Sequence, residues 1–357
     1  MKRGHLPPLP VGCALTVLLG VLIVASAHVG STGTYDFRTT LRGILALCGL
    51  AEPIPGSVQT IIEVRLWRTL VAVGVGGALA YSGALLQGVF RNGLASPAVL
   101  GITSGASLGA AIAILLVGGY GSTLFLEYAS GLAPILVTTF GFIGALGVAA
   151  LVTGIASTGG RVSVPTLLLV GIAVNVCLAG ILAAIQSLVL VDKFEIAKAI
   201  FAWTFGNLTD RSPYQVGLIA AGVGLAALVM PFVAVELDLF AGGEEDAEAL
   251  GVNTLRVKLL ALSAAALAAA SAVAAAGQIA FVGLVVPHLV RLLTGTSHRS
   301  LLPLSLIGGA VFLLGADLAQ RLLLGSAALR PGVLMSLVGG PFFLLLLLTM
   351  RKEMRTW

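Results

Sequence analysis

The chain has 357 residues, 58% of them hydrophobic and only 10% charged, with a formal net charge of +5 at pH 7. Soluble domains carry roughly 25% charged residues, so this composition excludes a water-soluble enzyme or binding module. The positive charges are scattered and most aromatics sit in apolar runs, which also argues against a nucleic-acid surface.

Lys2 and Arg3 precede an apolar run from Val11 to Val29. That run is longer than the about 7–15 residues of a signal-peptide core, and it is read as a retained first span. Further apolar runs follow at 69–90, 95–117, 131–156, 164–191, 213–235, 259–283, 284–297, 301–320 and 331–350. A helix needs about 20 apolar residues to cross a bilayer. The stretch 259–297 is too long for one crossing, and a repeated phrase divides it. Gly93-Leu94-x-x-Pro97 recurs as Gly283-Leu284-x-x-Pro287, and Arg65 and Gln87 stand as far apart as Arg256 and Gln278. In the first copy Arg91-Asn92-Gly93 breaks the apolar run. Gly283 and Pro287 hold the matching places in the second, and Pro removes a backbone donor there.

The sequence therefore predicts an all-α polytopic membrane protein with about ten spans. Five crossings separate the two copies, so spans 2–5 and 7–10 form an inverted repeat. The reading is one transmembrane domain over 1–357, with repeat halves at about 65–191 and 256–350 and a loop between them at about 236–256. Ten spans put both termini on one side. Lys2, Arg3, Arg351, Lys352 and Arg355 favour the cytoplasm for that side. Arg38, Arg42, Arg65, Arg68, Lys193, Lys198, Arg211, Arg321 and Arg330 then face outward.

The loop from Glu236 to Glu248 concentrates acids: Glu236, Asp238, Glu244, Glu245, Asp246 and Glu248. Within it, Gly243 to Gly251 reads as a short helix with acids in its first turn, where the helix dipole favours them, and Gly251 as its stop. The loop is either a solvated acidic face or a docking element for a cytoplasmic partner. No lysine follows a glycine, so G-x-x-x-x-G-K-[ST] is absent and any ATP hydrolysis belongs to another chain. Cys13, Cys48 and Cys177 are far apart and make neither a disulfide framework nor a metal site. Few ionisable residues fall within spans: His288, Arg291 and Asp317. Asp317 and Arg321 are spaced for an ion pair on one helix face, and Arg291, in a short span, is placed to snorkel. An ion-coupled carrier, the alternative class, would more often show a buried carboxylate near mid-membrane; Asp317 is the only candidate, and it lies near a span end.

At these residues the chain resembles the permease subunits of binding-protein-dependent ABC importers for iron-siderophores, haem and vitamin B12, the FecCD type of type II importer. The resemblance runs from about Arg65 to Leu348. Its most specific stretch is Gly277 to Arg291, reading GQIAFVGLVVPHLVR, followed by Gly295, His298, Arg299, Asp317 and Arg321. Supporting matches are SGALLQ at Ser82 to Gln87, RNGLA at Arg91 to Ala95, LLVG at Leu168 to Gly171, WTFG at Trp203 to Gly206 and GGPFF at Gly339 to Phe343.

The resemblance implies a ten-helix permease of the bacterial cytoplasmic (inner) membrane with both termini inside. It would move an iron chelate, an iron-siderophore first and haem or cobalamin next, without a catalytic residue or cofactor of its own. ATP and Mg would sit on cytoplasmic ATP-binding subunits. An extracytoplasmic substrate-binding protein and a second permease copy complete the implied partners. Glu245, Ala247, Leu250 and Gly251 look like the ATPase-coupling helix. Arg65, Arg68 and Arg321 look like the arginines that meet acids on the binding protein, with interfacial anchoring as the competing reading. Asn92, Leu94, Ser163 and Val164 look like the inner constriction, although Asn92 and Ser163 also suit helix capping. Asn175 and Gln186 are polar candidates on the pathway wall of span 5, or interhelical glue. The chain departs from the family pattern at Trp67, Gly93 and Arg330.

Overall fold

In the computed structural model, residues 5–30, 33–119, 132–158, 161–209, 211–325 and 329–354 are described. Among them the helices, in chain order, are α1 (Pro8–His28), α2 (Phe37–Leu47), α3 (Ser57–Phe90), α4 (Ile102–Gly119), α5 (Ala133–Ala156), α6 (Val164–Asp192) and α7 (Phe194–Thr204). They continue with α8 (Pro213–Ala227), α9 (Met230–Leu239), α10 (Glu244–Ala249), α11 (Thr254–Ala276), α12 (Val282–Thr294), α13 (His298–Leu324) and α14 (Pro331–Met354). Two antiparallel ladders of two residues per strand pair Val29–Gly30 with Gly33–Thr34 and Ser157–Thr158 with Arg161–Val162.

Six helices (α1, α3, α5, α6, α11 and α13) are long and apolar enough to cross a bilayer. The pair α8 and α9, bent by 53°, adds a broken seventh, and Ile102–Gly118, Val282–Thr294 and Pro331–Leu345 are shorter apolar helices. Together they account for the ten apolar segments expected. Lys2, Arg3 and Arg355, which carried the reading of the tails, lie outside the described residues.

The core is made by α3 and α11, buried along most of their length. Alanine and glycine explain how. Small side chains let helix backbones approach where apolar burial gives no net drive between helices in lipid. A Cβ placed on Gly76 or Gly309 would strike the other's backbone carbonyl, and a Cβ on Gly83 would strike the carbonyl of Gly283. The two core helices run in opposite directions. Val89 and Phe90, at the end of α3, share a cleft with Lys258, near the start of α11. The two copies of the repeat therefore enter the bilayer from opposite faces, as the odd number of crossings requires.

The helix break in the second copy falls at Gly277–Phe281, a few residues before the repeated Gly283. Gly277 (φ 75°) stops α11 against the carbonyl of Trp203, and Phe281 takes a left-handed φ of 66° before α12 begins. Pro287 lies inside α12 rather than at its start. In the first copy, segment 95–117 divides into a 3-10 turn at Pro97–Leu100 and α4. The amphipathic helices α2 and α7 were not anticipated, and α3 starts at Ser57, well ahead of residue 69.

Candidate functional site

One face of the bundle carries α10. After α9 the chain turns through a 3-10 segment at Phe240–Gly242, and Gly243 takes a φ of 133° that favours glycine. Glu244, Glu245 and Asp246 then occupy the first turn of α10, where the dipole favours negative charge. Ala247 is fully buried and seats the helix. Glu244 Oε1 pairs with Lys258 Nζ at 2.5 Å, and the same ammonium donates to the Val162 carbonyl at 2.9 Å. Thr254 Oγ1 donates to Glu248 Oε1 at 2.8 Å. Gly251 (φ 88°) ends the turn. Glu245, Leu250 and Gly251 face outward, and Leu250 is 68% exposed. Sequence reasoning missed Lys258, which is 3% exposed. Its signal was present: a lysine placed one residue ahead of an uncharged run.

Two clefts meet at Arg91 on this face, and α10 lines the first of them. One, of about 520 Å³, is lined by Glu244, Glu245, Glu248 and Lys258 on one side and by Arg91, Ser163 and Val164 on the other. The second, of about 580 Å³, holds Arg91, Asn92, His288 and Arg291 beside Asp238 and His298. Asp238 Oδ1 accepts from the His298 backbone N–H at 2.8 Å and lies 2.6 Å from His298 Nδ1, so the end of α9 is tied to the start of α13. Leu6 N–H donates to the Leu293 carbonyl at 2.8 Å, so the described N-terminal segment lies on this same face.

Of the expected constriction, Ser163 and Val164 stand across the cleft from α10, while Asn92 lies in the neighbouring cleft. Their polar atoms already have local work. Asn92 Oδ1 accepts from Leu94 N–H at 2.9 Å, and Ser163 Oγ N-caps α6 by accepting from Thr166 N–H at 3.4 Å. Leu94 is half-buried. Asn175 is not brought to this place. Its Nδ2 donates to the Ala98 carbonyl at 2.8 Å and its Oδ1 accepts from Ser104 Oγ at 2.6 Å, which joins α6 to the start of α4.

The two repeated phrases meet at the centre of the molecule. Pro97 and Ala98 from the first and Gly283 and Leu284 from the second line one cavity of about 260 Å³. Pro287 has no N–H to return to the Gly283 carbonyl, four residues back. Gln87 Nε2 stands 3.3 Å from that carbonyl and donates to it. Gln87 Oε1 in turn accepts from Arg291 Nη1 at 2.5 Å. Arg291 is thus held by the first copy and does not snorkel. Gln278, the matching glutamine, donates to Ser107 Oγ at 2.6 Å.

The opposite face holds the arginines. Arg68 grips Asp317 with two hydrogen bonds, 3.1 and 2.6 Å, and Arg321 Nη2 lies 3.1 Å from the second Asp317 oxygen. Arg321 also donates to the Val29 carbonyl at 2.8 Å and to Ser26 Oγ at 2.6 Å. Arg65 donates to the His28 carbonyl at 2.9 Å and lies over the Tyr35 ring, 5.0 Å from its centre. These carbonyls are the end of α1, so two guanidinium groups cap that helix and fix it to α3 and α13. Arg65 and Arg321 are each 5% exposed; the Arg68 side chain, at 15%, is the more accessible. Among the described residues no group of three His, Cys, Asp or Glu side chains is placed to hold a metal ion.

A bundle of broken and continuous apolar helices, inverted about its centre and carrying an exposed acidic helix on one face, defines a polytopic membrane permease. Residues 17–349 match the family model of the FecCD transport family, and the chain belongs to that family. It is 36% identical to the hemin transport system permease protein of Yersinia pestis, over 98% of this chain and 99% of that one. It is 38% identical to the cobalamin import system permease protein of Halobacterium salinarum, over 82% of this chain and 75% of the relative. A solved structure assigned to the metal-chelate type of ABC transporter, in an inward-facing conformation, superposes with a TM-score of 0.77 at 28% identity, covering 95% of this chain and 99% of that chain. The chain is accordingly an ABC-type permease.

Proposed function

We propose that this permease imports an iron chelate, an iron-siderophore ahead of haem or cobalamin, with energy from a separate cytoplasmic ATPase that seats on α10. The observation that carries the proposal is α10 itself: an acid-rich helix anchored from behind by Lys258 and Thr254, with Glu245 and Leu250 turned outward. The relatives named for hemin and cobalamin import, and the metal-chelate type structure, support a bulky chelate as cargo. ATP and Mg belong to the ATPase. In this proposal the α10 face and both chain ends lie in the cytoplasm, and the protein sits in a bacterial inner membrane.

On the opposite face a substrate-binding protein docks, with Arg68 as the accessible member of the arginine set and Arg65 and Arg321 holding the platform beneath it. Ser163 and Val164 form the inner constriction with Asn92 and Leu94, and Asn175 fixes the wall. A second permease copy covers α6. Reconstituted uptake tests the reading. Transport that requires ATP and the purified ATPase, and that is lost when Glu245–Gly251 is deleted from an otherwise inserted protein, is the expected result. Uptake driven by a proton or sodium gradient without the ATPase would replace it with the ion-coupled carrier.

A further inference from the structure

Along α1, Leu9, Cys13, Thr16 and Val17 form one stripe, and it faces Pro303 and Leu304 of α13 across an open groove of about 700 Å³. The two helices come close at Gly12, where an added Cβ would lie 3.3 Å from Leu304 Cδ2. The groove walls are therefore apolar and its floor is protein. Both helices are long and apolar enough to span a membrane, so the groove opens toward lipid.

Its rim is different. Arg299 lines the end of the groove on the α10 side, is exposed, and makes no hydrogen bond or ion pair among the described residues. Pro303 has no N–H to return to the Arg299 carbonyl, four residues back, so the rim offers a spare acceptor beside an unpaired guanidinium. A forked cation matches a phosphate, and a basic site at the mouth of a groove between spanning helices suits an anionic headgroup.

We infer that this groove binds an anionic phospholipid of the phosphatidylglycerol kind from the leaflet on the α10 side. One acyl chain lies along Leu9, Cys13 and Val17. The phosphate meets Arg299, and a headgroup hydroxyl donates to the freed carbonyl. The lipid fills the groove beside the line where the first span packs against α13, a line that the arginine cluster fixes at the opposite face.

The test uses the full chain purified from bilayers of equal phosphatidylglycerol and phosphatidylcholine, with retained lipids measured by native mass spectrometry. The wild-type protein should retain phosphatidylglycerol in preference. Arg299→Gln should lower that preference about fivefold, the loss of one interfacial cation, whereas Arg299→Lys keeps most of it. Cys13→Trp, which fills the groove without touching the charge, should reduce retention of both lipids. Equal retention by the wild type, or an unchanged preference in Arg299→Gln, would overturn the inference. So would displacement of the lipid by soluble glycerophosphoglycerol, because the apolar groove would then contribute nothing. The readout requires neither ATPase nor cargo, so it stands or falls apart from the transport reading.

Discussion

At the scale of single residues, buried charge decides most. Asp317 is 1% exposed and shared between Arg68 and Arg321. Removing one member of a buried ion pair leaves an uncompensated charge and costs about 3–5 kcal/mol. Asp317→Asn should therefore lower the thermal unfolding midpoint in detergent markedly. The double change Arg68→Met with Asp317→Leu should recover part of the loss by removing the stranded charge, and a double variant no better than the single would contradict the pairing. Lys258 makes a milder case. Its partner Glu244 is 38% exposed, so solvent screens the pair. Lys258→Met should cost about 1–2 kcal/mol, well below the fully buried case, and should show more strongly as faster proteolysis at 244–251 than as global unfolding. The Asp317–Arg321 pair was legible because its spacing lies within one helix. Arg68 was not, because pairing across helices depends on which faces meet, and an apolar run with no sharp periodicity does not reveal its faces.

Among elements, the informative features are interruptions. Apolar runs gave the ten segments closely, since burial in lipid needs length and little else. The breaks were harder. The repeated Gly283-Leu284-x-x-Pro287 signalled a division, yet the helix actually stops at Gly277, where the WTFG segment packs its Trp203 carbonyl against that glycine. The short helices α2 and α7 escaped because their polar residues read as loop. What Pro287 does became visible only with Gln87 beside it. The pair makes a quantitative prediction. Gln87→Leu leaves the Gly283 carbonyl without its donor and should cost about 1–3 kcal/mol. Pro287→Ala restores an N–H that reaches the same carbonyl within α12. The cost of Gln87→Leu should be smaller in the Pro287→Ala background, by 0.5 kcal/mol or more, the roughly 0.5–3 kcal/mol typical of coupled neighbours. Additive costs in a thermal-unfolding cycle would show that the glutamine does not stand in for the missing Pro287 N–H.

Over the whole molecule, the helices divide into those that the bundle buries and those that it leaves open. α3 and α11 are core; α6 buries only Leu167 and Gly171, with Leu169, Ile172, Val176 and Leu188 exposed. Lipid could cover such a face, and so could protein. Asn175 ties α6 to its own bundle through the Ala98 carbonyl and Ser104 at the start of α4, so the outward face is held in a fixed orientation. A rigid apolar face suits a specific partner, and it is the place proposed above for a second permease copy. Tryptophan distinguishes the two coverings, because lipid accommodates a larger apolar side chain whereas a packed interface does not. Val176→Trp should overpack a two-copy interface by about 1–3 kcal/mol per copy. That weakens dimerisation tenfold or more, since 1.4 kcal/mol is a factor of ten. Ile143→Trp, on α5 and 62% exposed, serves as the lipid-facing control and should leave dimerisation unchanged. Light scattering across a dilution series in detergent reads both. If Val176→Trp dimerises like the wild type, α6 faces lipid and the second copy must pack elsewhere.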